Sequence, residues 1–309
     1  MTRLSTLTRL STLALTALSL IGLGLLALPA RADLHWTVSD ADTTINLYGT
    51  VHVLKPGTDW TDGDAADLVR ASDALYMELA PQANTRQVME PLFIEYGFYP
   101  EDDSLKAHIP DALYQSLMNS LDSFEAPERV KQQFNRMKPW LAAFSITNMR
   151  FTQMGYRPAN GVEATLTRLA QQNGTPVHGL EKAEDQVKML AALGGDDGAA
   201  FLREALKDAE RAGTLMEKLT NAWLTGNATE MNRLLNEELK DHPNLAKALL
   251  YDRNHAWVDK VEDLLAKPGY FTVAVGSAHL VGDESLVQLL RDAGFKVTRV
   301  NPQQGPATP

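Results

Sequence analysis

Cysteine is absent from the 309-residue chain. Its absence excludes disulfides, a thiolate nucleophile, cysteine-ligated metal and an acylated lipoprotein cysteine. The fold must then stand on its core alone, and any metal must be held by His, Asp, Glu or backbone oxygen. Positive charge is also short: 29 Lys+Arg face 39 Asp+Glu, a formal net charge of −10. No basic stripe occurs beyond the N-terminus, so the body repels phosphate backbones and nucleic acid is excluded as a partner. There is no G-x-S-x-G elbow, H-E-x-x-H helix, P-loop or dinucleotide fingerprint, and Ser277 has no base at a recognised spacing. Those gaps remove the commonest serine-hydrolase, zincin and nucleotide-binding readings.

What is present begins with an export pattern. Arg3 and Arg9 precede a Leu/Ala/Thr/Ser run from Leu10 to Leu28, and Pro29-Ala30-Arg31-Ala32 supplies an A-x-A site. Residues 1–32 therefore read as a signal peptide cut after Ala32, which predicts a periplasmic or secreted mature protein. The alternative is an uncleaved anchor, because the apolar run is nearly long enough to span a bilayer. That is the single route to a membrane.

The mature chain predicts an α/β (α+β) fold in one domain, residues 33–300, followed by a polar tail at 301–309. "TTINLYGTVHVL" is a buried strand, "AADLVRASD" a helix and "ALYMELAP" a second strand. Helical periodicity dominates from about 100 to 265, interrupted by a short strand in "PVHGLE". Strand, helix and strand return in "FTVAVG", "ESLVQLLRDAG" and "KVTRV". The expectation is a central mixed sheet built from the N- and C-terminal segments, with a large helical insertion packed over it.

Two of these apolar runs end alike, in Gly49-Thr50-Val51-His52 and Gly276-Ser277-Ala278-His279. A glycine at a strand end lets the backbone turn, and the carboxyl edge of an α/β sheet is where ligands bind. His52 and His279, two of only seven histidines, are thus expected in one cleft. Glu78 closes the strand "ALYMELA". With the imidazoles it makes a two-histidine, one-carboxylate metal set that leaves positions open for water and substrate, with Glu78 as ligand or general base. Glu181 ends "PVHGLE" and Glu163 opens the helix "GVEATLTRLA". Either is a further ligand, an orienting group or a base, although Glu163 also suits a helix's first turn without any function. Arg253 and Asn254 lie in "YDRNHAWVDKV", where a guanidinium either holds a carboxylate or oxyanion or makes an ordinary salt bridge. His178 alternates inward on its strand; His35, His108, His242 and His255 are structural or exposed. A ligand set of nitrogen and oxygen suits Mn, Zn, Co or Fe(II).

With "LYGTVHVL", "LYMELAP", "PVHGLEKAEDQ", "DRNHAW" and "VAVGSAHLVGDESLVQLLRDAGFKVTRV" in order, the chain resembles the TraB/PrgY/GumN family. Its bacterial members are often exported and the Tiki metalloproteases are its animal relatives. The two G-x-x-H motifs and the strand-end glutamate carry the resemblance; the segment at Gly161-Val162-Glu163 departs from it, since aspartate is as frequent there. The resemblance implies a divalent-metal hydrolase fold related to erythromycin-esterase and haem-binding ChaN-like groups, with members tied to peptide cleavage or to inhibition of peptide signals. The expected function is an exported metal-dependent, peptidase-like hydrolase acting on a peptide or small molecule. The rival is a non-catalytic metal-, haem- or peptide-binding accessory protein of the envelope.

Overall fold

The two glycine-ended apolar runs become neighbouring parallel strands. The computed structural model describes residues 34–60, 64–83, 85–193, 195–207, 209–240 and 242–300; the expected export signal, its cleavage point and the tail lie outside the described residues. Six strands form one mixed sheet: β1 (His35–Ser39), β2 (Thr43–Thr50), β3 (Ala74–Leu79), β4 (Val177–Glu181), β5 (Gly269–Gly276) and β6 (Val297–Arg299). Their order is β4-β3-β5-β2-β1-β6. β2, β5, β3 and β4 run parallel, whereas β1 is antiparallel to both β2 and β6.

A parallel strand covered on both faces needs a continuous apolar run rather than alternation. β5, "GYFTVAVG", is buried from its second residue to its last. Ile45, Leu47, Val273 and Val275 are all 0% exposed, each contributing on the order of 1.5–3 kcal/mol by burial. The chain passes from β2 through the Asp64–Ala71 helix to β3 and leaves a gap between the two strands, which β5 fills from the far end of the chain. Pairing sets Thr50 level with Gly276, Met77 with Ala274 and Leu79 with Glu181. The carboxyl ends of four parallel strands therefore deliver Thr50, Glu78, Glu181 and Gly276 to one edge.

Three sequence expectations need correction. The sheet is not made by the termini alone, because β4 comes from the helical middle and pairs with β3. "TTINLYGTVHVL" is too long as a strand: β2 stops at Thr50, and the residues after it leave the sheet toward Arg157. β1 was not expected as a strand. Its hairpin with β2 is closed by Asp40, whose Oδ1 accepts the Asp42 and Thr43 amides at 3.2 and 2.9 Å, an Asx turn encoded in "SDADT".

The helical middle has a core of its own, around Leu113, Leu117, Leu121, Trp140, Ile146 and Leu202, separate from the core under the sheet. Among the described residues no helix is long and apolar enough to cross a membrane.

Candidate functional site

The end of β2 and the start of the loop after it are pinned at three successive carbonyls. Trp223 Nε1 donates to the Gly49 carbonyl at 2.8 Å, and Ser277 Oγ donates to that of Thr50 at 2.9 Å. The Val162 amide donates to Val51 at 3.0 Å, tying the loop to the helix Val162–Asn173. That helix carries Glu163, whose Oε1 lies 2.7 Å from His52 Nδ1 and also accepts the Thr50 hydroxyl. An ionised carboxylate can only accept, so Nδ1 bears the proton and Nε2 turns toward Gly276. Glu163 raises the His52 pKa to about 10 against the opposing cost of burial. The ring stays 66% exposed, and water screens part of that attraction. Glu163, though burial opposes its charge, is held below its usual range by His52.

His279 lies in the 3-10 turn Ser277–Leu280 and is buried at 3% exposure. One helix, Asp252–Leu265, surrounds its ring. Asn254 Oδ1 is 2.6 Å from Nδ1, Arg253 Nη1 is 3.1 Å from Nε2, and the Trp257 ring packs at 4.5 Å. The tautomer follows from the partners. Asn254 spends its Nδ2–H on the Glu284 carbonyl at 2.7 Å, so its oxygen faces the ring and Nδ1 donates. Arg253 has only donors, which leaves Nε2 as the acceptor. Burial pushes the His279 pKa down to about 3, outweighing Glu78 and aided by Arg253. The imidazole is neutral.

Arg253 also bridges two carboxylates. Its Nη2 donates to Glu78 Oε2 at 2.6 Å and to Glu181, while its Nε reaches the two Glu181 oxygens at 3.1 and 3.2 Å. The guanidinium stacks over Trp257 at 4.8 Å. Glu78 Oε1 accepts the Gly276 amide at 2.9 Å. Burial opposes ionisation of Glu78, but the surrounding positive charge and that amide outweigh it and hold the pKa well below the carboxylate range. A neutral His279 supplies no charge, so Arg253, with His52 adding to it, supplies the positive charge. Glu181 goes the other way: burial, reinforced by Glu78, raises its pKa despite Arg253.

Glycine at 276 keeps the middle of this array open. A Cβ there would lie 3.1 Å from Glu78 Oε1, 3.3 Å from His52 Nε2 and 3.6 Å from His279 Cδ2. Among the described residues no three His, Asp or Glu side chains close into a metal-holding group. Arg253 takes Nε2 of His279 and Oε2 of Glu78 instead. The donor chemistry nevertheless fits a divalent cation. Both rings are anchored through Nδ1, the arrangement that presents Nε2 as a ligand; at His52, whose pKa Glu163 raises, the ion would displace the second proton from Nε2, and the intervening carboxylate is ionised.

The structure thus brings His52, His279, Glu78, Glu181, Arg253, Asn254, Gly49 and Gly276 to one sheet edge. Neither glycine makes the expected turn. Gly49 stays within β2, where its missing side chain lets Leu34 Cβ and Ser277 Oγ approach to 2.9 Å of the Cβ position. Gly276 has φ −48°, open to any residue. Asn254 is 1% exposed and holds His279 from behind. Glu163 is settled as the partner of His52. Thr50 and Trp257 were missed; the spacing of Arg253, Asn254 and Trp257 along one helix was the available signal for Trp257. His178 is exposed on the edge strand β4 and stacks on Tyr76 at 5.1 Å, not inward as its alternation suggested.

Comparison with known proteins agrees with the resemblance. The chain is 32% identical over 158 residues to the uncharacterized protein YbaP of Escherichia coli (strain K12), covering 51% of this chain and 58% of that protein. Metalloprotease TIKI2 of Danio rerio is 23% identical, over 84% of this chain and 58% of its own length. Metalloprotease TIKI1 of Danio rerio is 21% identical, over 86% and 63%. The chain therefore spans less than two thirds of these relatives. No solved structure matches it. The profile of the TraB/PrgY/gumN family matches residues 34–299, which include all four strand ends of the site, and the chain belongs to that family.

Proposed function

We propose that this protein is a divalent-metal-dependent hydrolase of peptidase type, acting outside the cytoplasm after removal of residues 1–32. One observation carries the reading: two imidazoles from the ends of adjacent parallel strands, each anchored at Nδ1, meet an ionised Glu78 around the open position at Gly276. The similarity to animal metalloproteases supports the reaction class.

His52 Nε2, His279 Nε2 and Glu78 would hold the ion. Its chemistry, when bound, is polarisation of a carbonyl oxygen and a lowered pKa for water. The chain's own groups do the rest. Asn254 and Glu163 fix the orientation of both rings through Nδ1, so no reorientation is needed at the reacting moment. Burial with a raised pKa suits Glu181 to carry a proton between water and a leaving amine. Arg253 presents N–H donors at the same edge for a developing oxyanion or a substrate carboxylate.

The test is hydrolysis of an unbiased peptide mixture by mature protein loaded with Zn²⁺, Mn²⁺ or Co²⁺. Cleavage that is lost on chelation and restored by metal is the expected result. Metal bound without cleavage favours the accessory-binding rival, and no metal bound ends the hydrolase reading and leaves the rival only its haem- or peptide-binding form. N-terminal sequencing of the protein from its native envelope is expected to begin at Asp33; an intact Met1 would replace export by anchoring.

The role of Glu163 gives a separate expectation. Glu163→Ala leaves His52 Nδ1 without its acceptor and is expected to weaken metal binding by on the order of 10- to 100-fold. Calorimetric titration of wild type and variant measures it, and equal affinities would remove Glu163 from the site.

A further inference from the structure

We infer that Arg253 and a divalent cation are alternative occupants of the same donor atoms, so that Arg253 sets how tightly this site takes metal. The inference rests on the metal reading above and concerns how that site is regulated. His279 Nδ1 is spent as a donor to Asn254, whose amide is itself fixed by the Glu284 carbonyl. Nε2 then has one lone pair, and Arg253 Nη1 points at it from 3.1 Å. A lone pair that accepts an N–H bond is not available to a metal. Glu78 is in the same position on one side: Oε2 receives Nη2 at 2.6 Å, while Oε1 receives the Gly276 amide. Charge adds to the exclusion, because a guanidinium and a divalent ion sharing these atoms repel each other at short range.

The arrangement also provides a place for the guanidinium to go. Arg253 Nε is held by Glu181, its Nη1 reaches the Leu249 carbonyl at 3.0 Å, and its face lies on Trp257. None of these partners belongs to the proposed metal set. Leu249 lies in the π-helical segment Lys247–Tyr251 that leads into the Arg253 helix, a rare register break that is frequent at functional sites. Withdrawal of Arg253 therefore gives up the contacts with His279 and Glu78 while Glu181, Leu249 and Trp257 retain the side chain. Glu181 acts here as a positioning residue: it keeps the displaced cation in the site as a charge partner.

Competitive titration of Zn²⁺ against a chromophoric chelator, on the full chain, tests this. Arg253→Met is expected to bind Zn²⁺ more tightly than wild type by on the order of 10- to 100-fold. It is also expected to melt lower than wild type without Zn²⁺ and to gain more in Tm when saturated, since the ion then compensates Glu78. Arg253→Lys keeps a charge but loses the fork, and is expected to shift affinity in the same direction by less. It serves as the measurement should Arg253→Met not fold. The tightening must vanish when His279→Ala is added. Zn²⁺ affinity equal to or weaker than wild type in both variants would overturn the inference while leaving the metal reading intact. Absence of Zn²⁺ binding by wild type and both variants would overturn the two together.

Discussion

Glu78→Gln is expected to lower peptide turnover by a factor of roughly 100 to 10,000. The carboxylate is held on two sides. Oε1 accepts the backbone N–H of Gly276 and Oε2 accepts Arg253 Nη2. Both neighbours are donors. An amide offers one oxygen and one NH2, so whichever way it is placed, an N–H faces an N–H and one buried donor loses its acceptor. The substitution also deletes the negative charge that opposes Arg253 and would oppose a bound cation. Metal occupancy, measured beside kcat, separates the two roles. Occupancy retained with turnover lost assigns Glu78 as a base, and loss of both assigns it as a ligand, because a neutral amide oxygen is the poorer donor. Wild-type turnover in Glu78→Gln would remove this residue from the reaction.

Gly161→Ala is expected to cost about 1–3 kcal/mol of stability and about 100-fold in kcat/KM. A Cβ at this position would stand 2.2 Å from the carbonyl oxygen of His52 and 2.8 Å from its carbonyl carbon. Both are backbone atoms of a segment already tied down by the bond from the Val162 amide to the Val51 carbonyl, so no flexible side-chain end can yield. Gly161 has φ −62° and ψ 159°, which any residue adopts, and the cost is therefore contact rather than backbone strain. Relief requires moving the His52 loop away from the helix that carries Glu163, separating the two halves of the His52–Glu163 pair. The urea midpoint reads the stability and kcat/KM the displacement. Stability and activity both unchanged would mean that the loop has slack the geometry does not contain.

These two residues differ in how far sequence reasoning reaches them. Glu78 was legible because a carboxylate closing an apolar strand is costly without a partner, and the partner's type follows from that cost. Gly161 carried no such mark. Its glycine is required by the backbone of a residue more than a hundred positions earlier, and nothing local records that approach.

The same division runs through the whole protein. Local patterns determined the chemistry on offer and where on the fold it would sit. Apolar runs in "TTINLYG" and "FTVAVG" read as buried strands, and in an α/β sheet ligands bind at the carboxyl ends of the strands. The absence of cysteine confined any metal to nitrogen and oxygen donors. Only the tertiary structure decided the pairings. It placed Glu163 against His52, and Arg253 against His279, Glu78 and Glu181; it took β4 from the helical middle and opened a position among the donors at Gly276. The physical reason is that periodicity encodes how each residue meets its immediate neighbours and solvent. A hydrogen bond such as Thr50 to Glu163, 113 residues apart, exists because packing of the whole chain brings two elements together, and no local propensity specifies it.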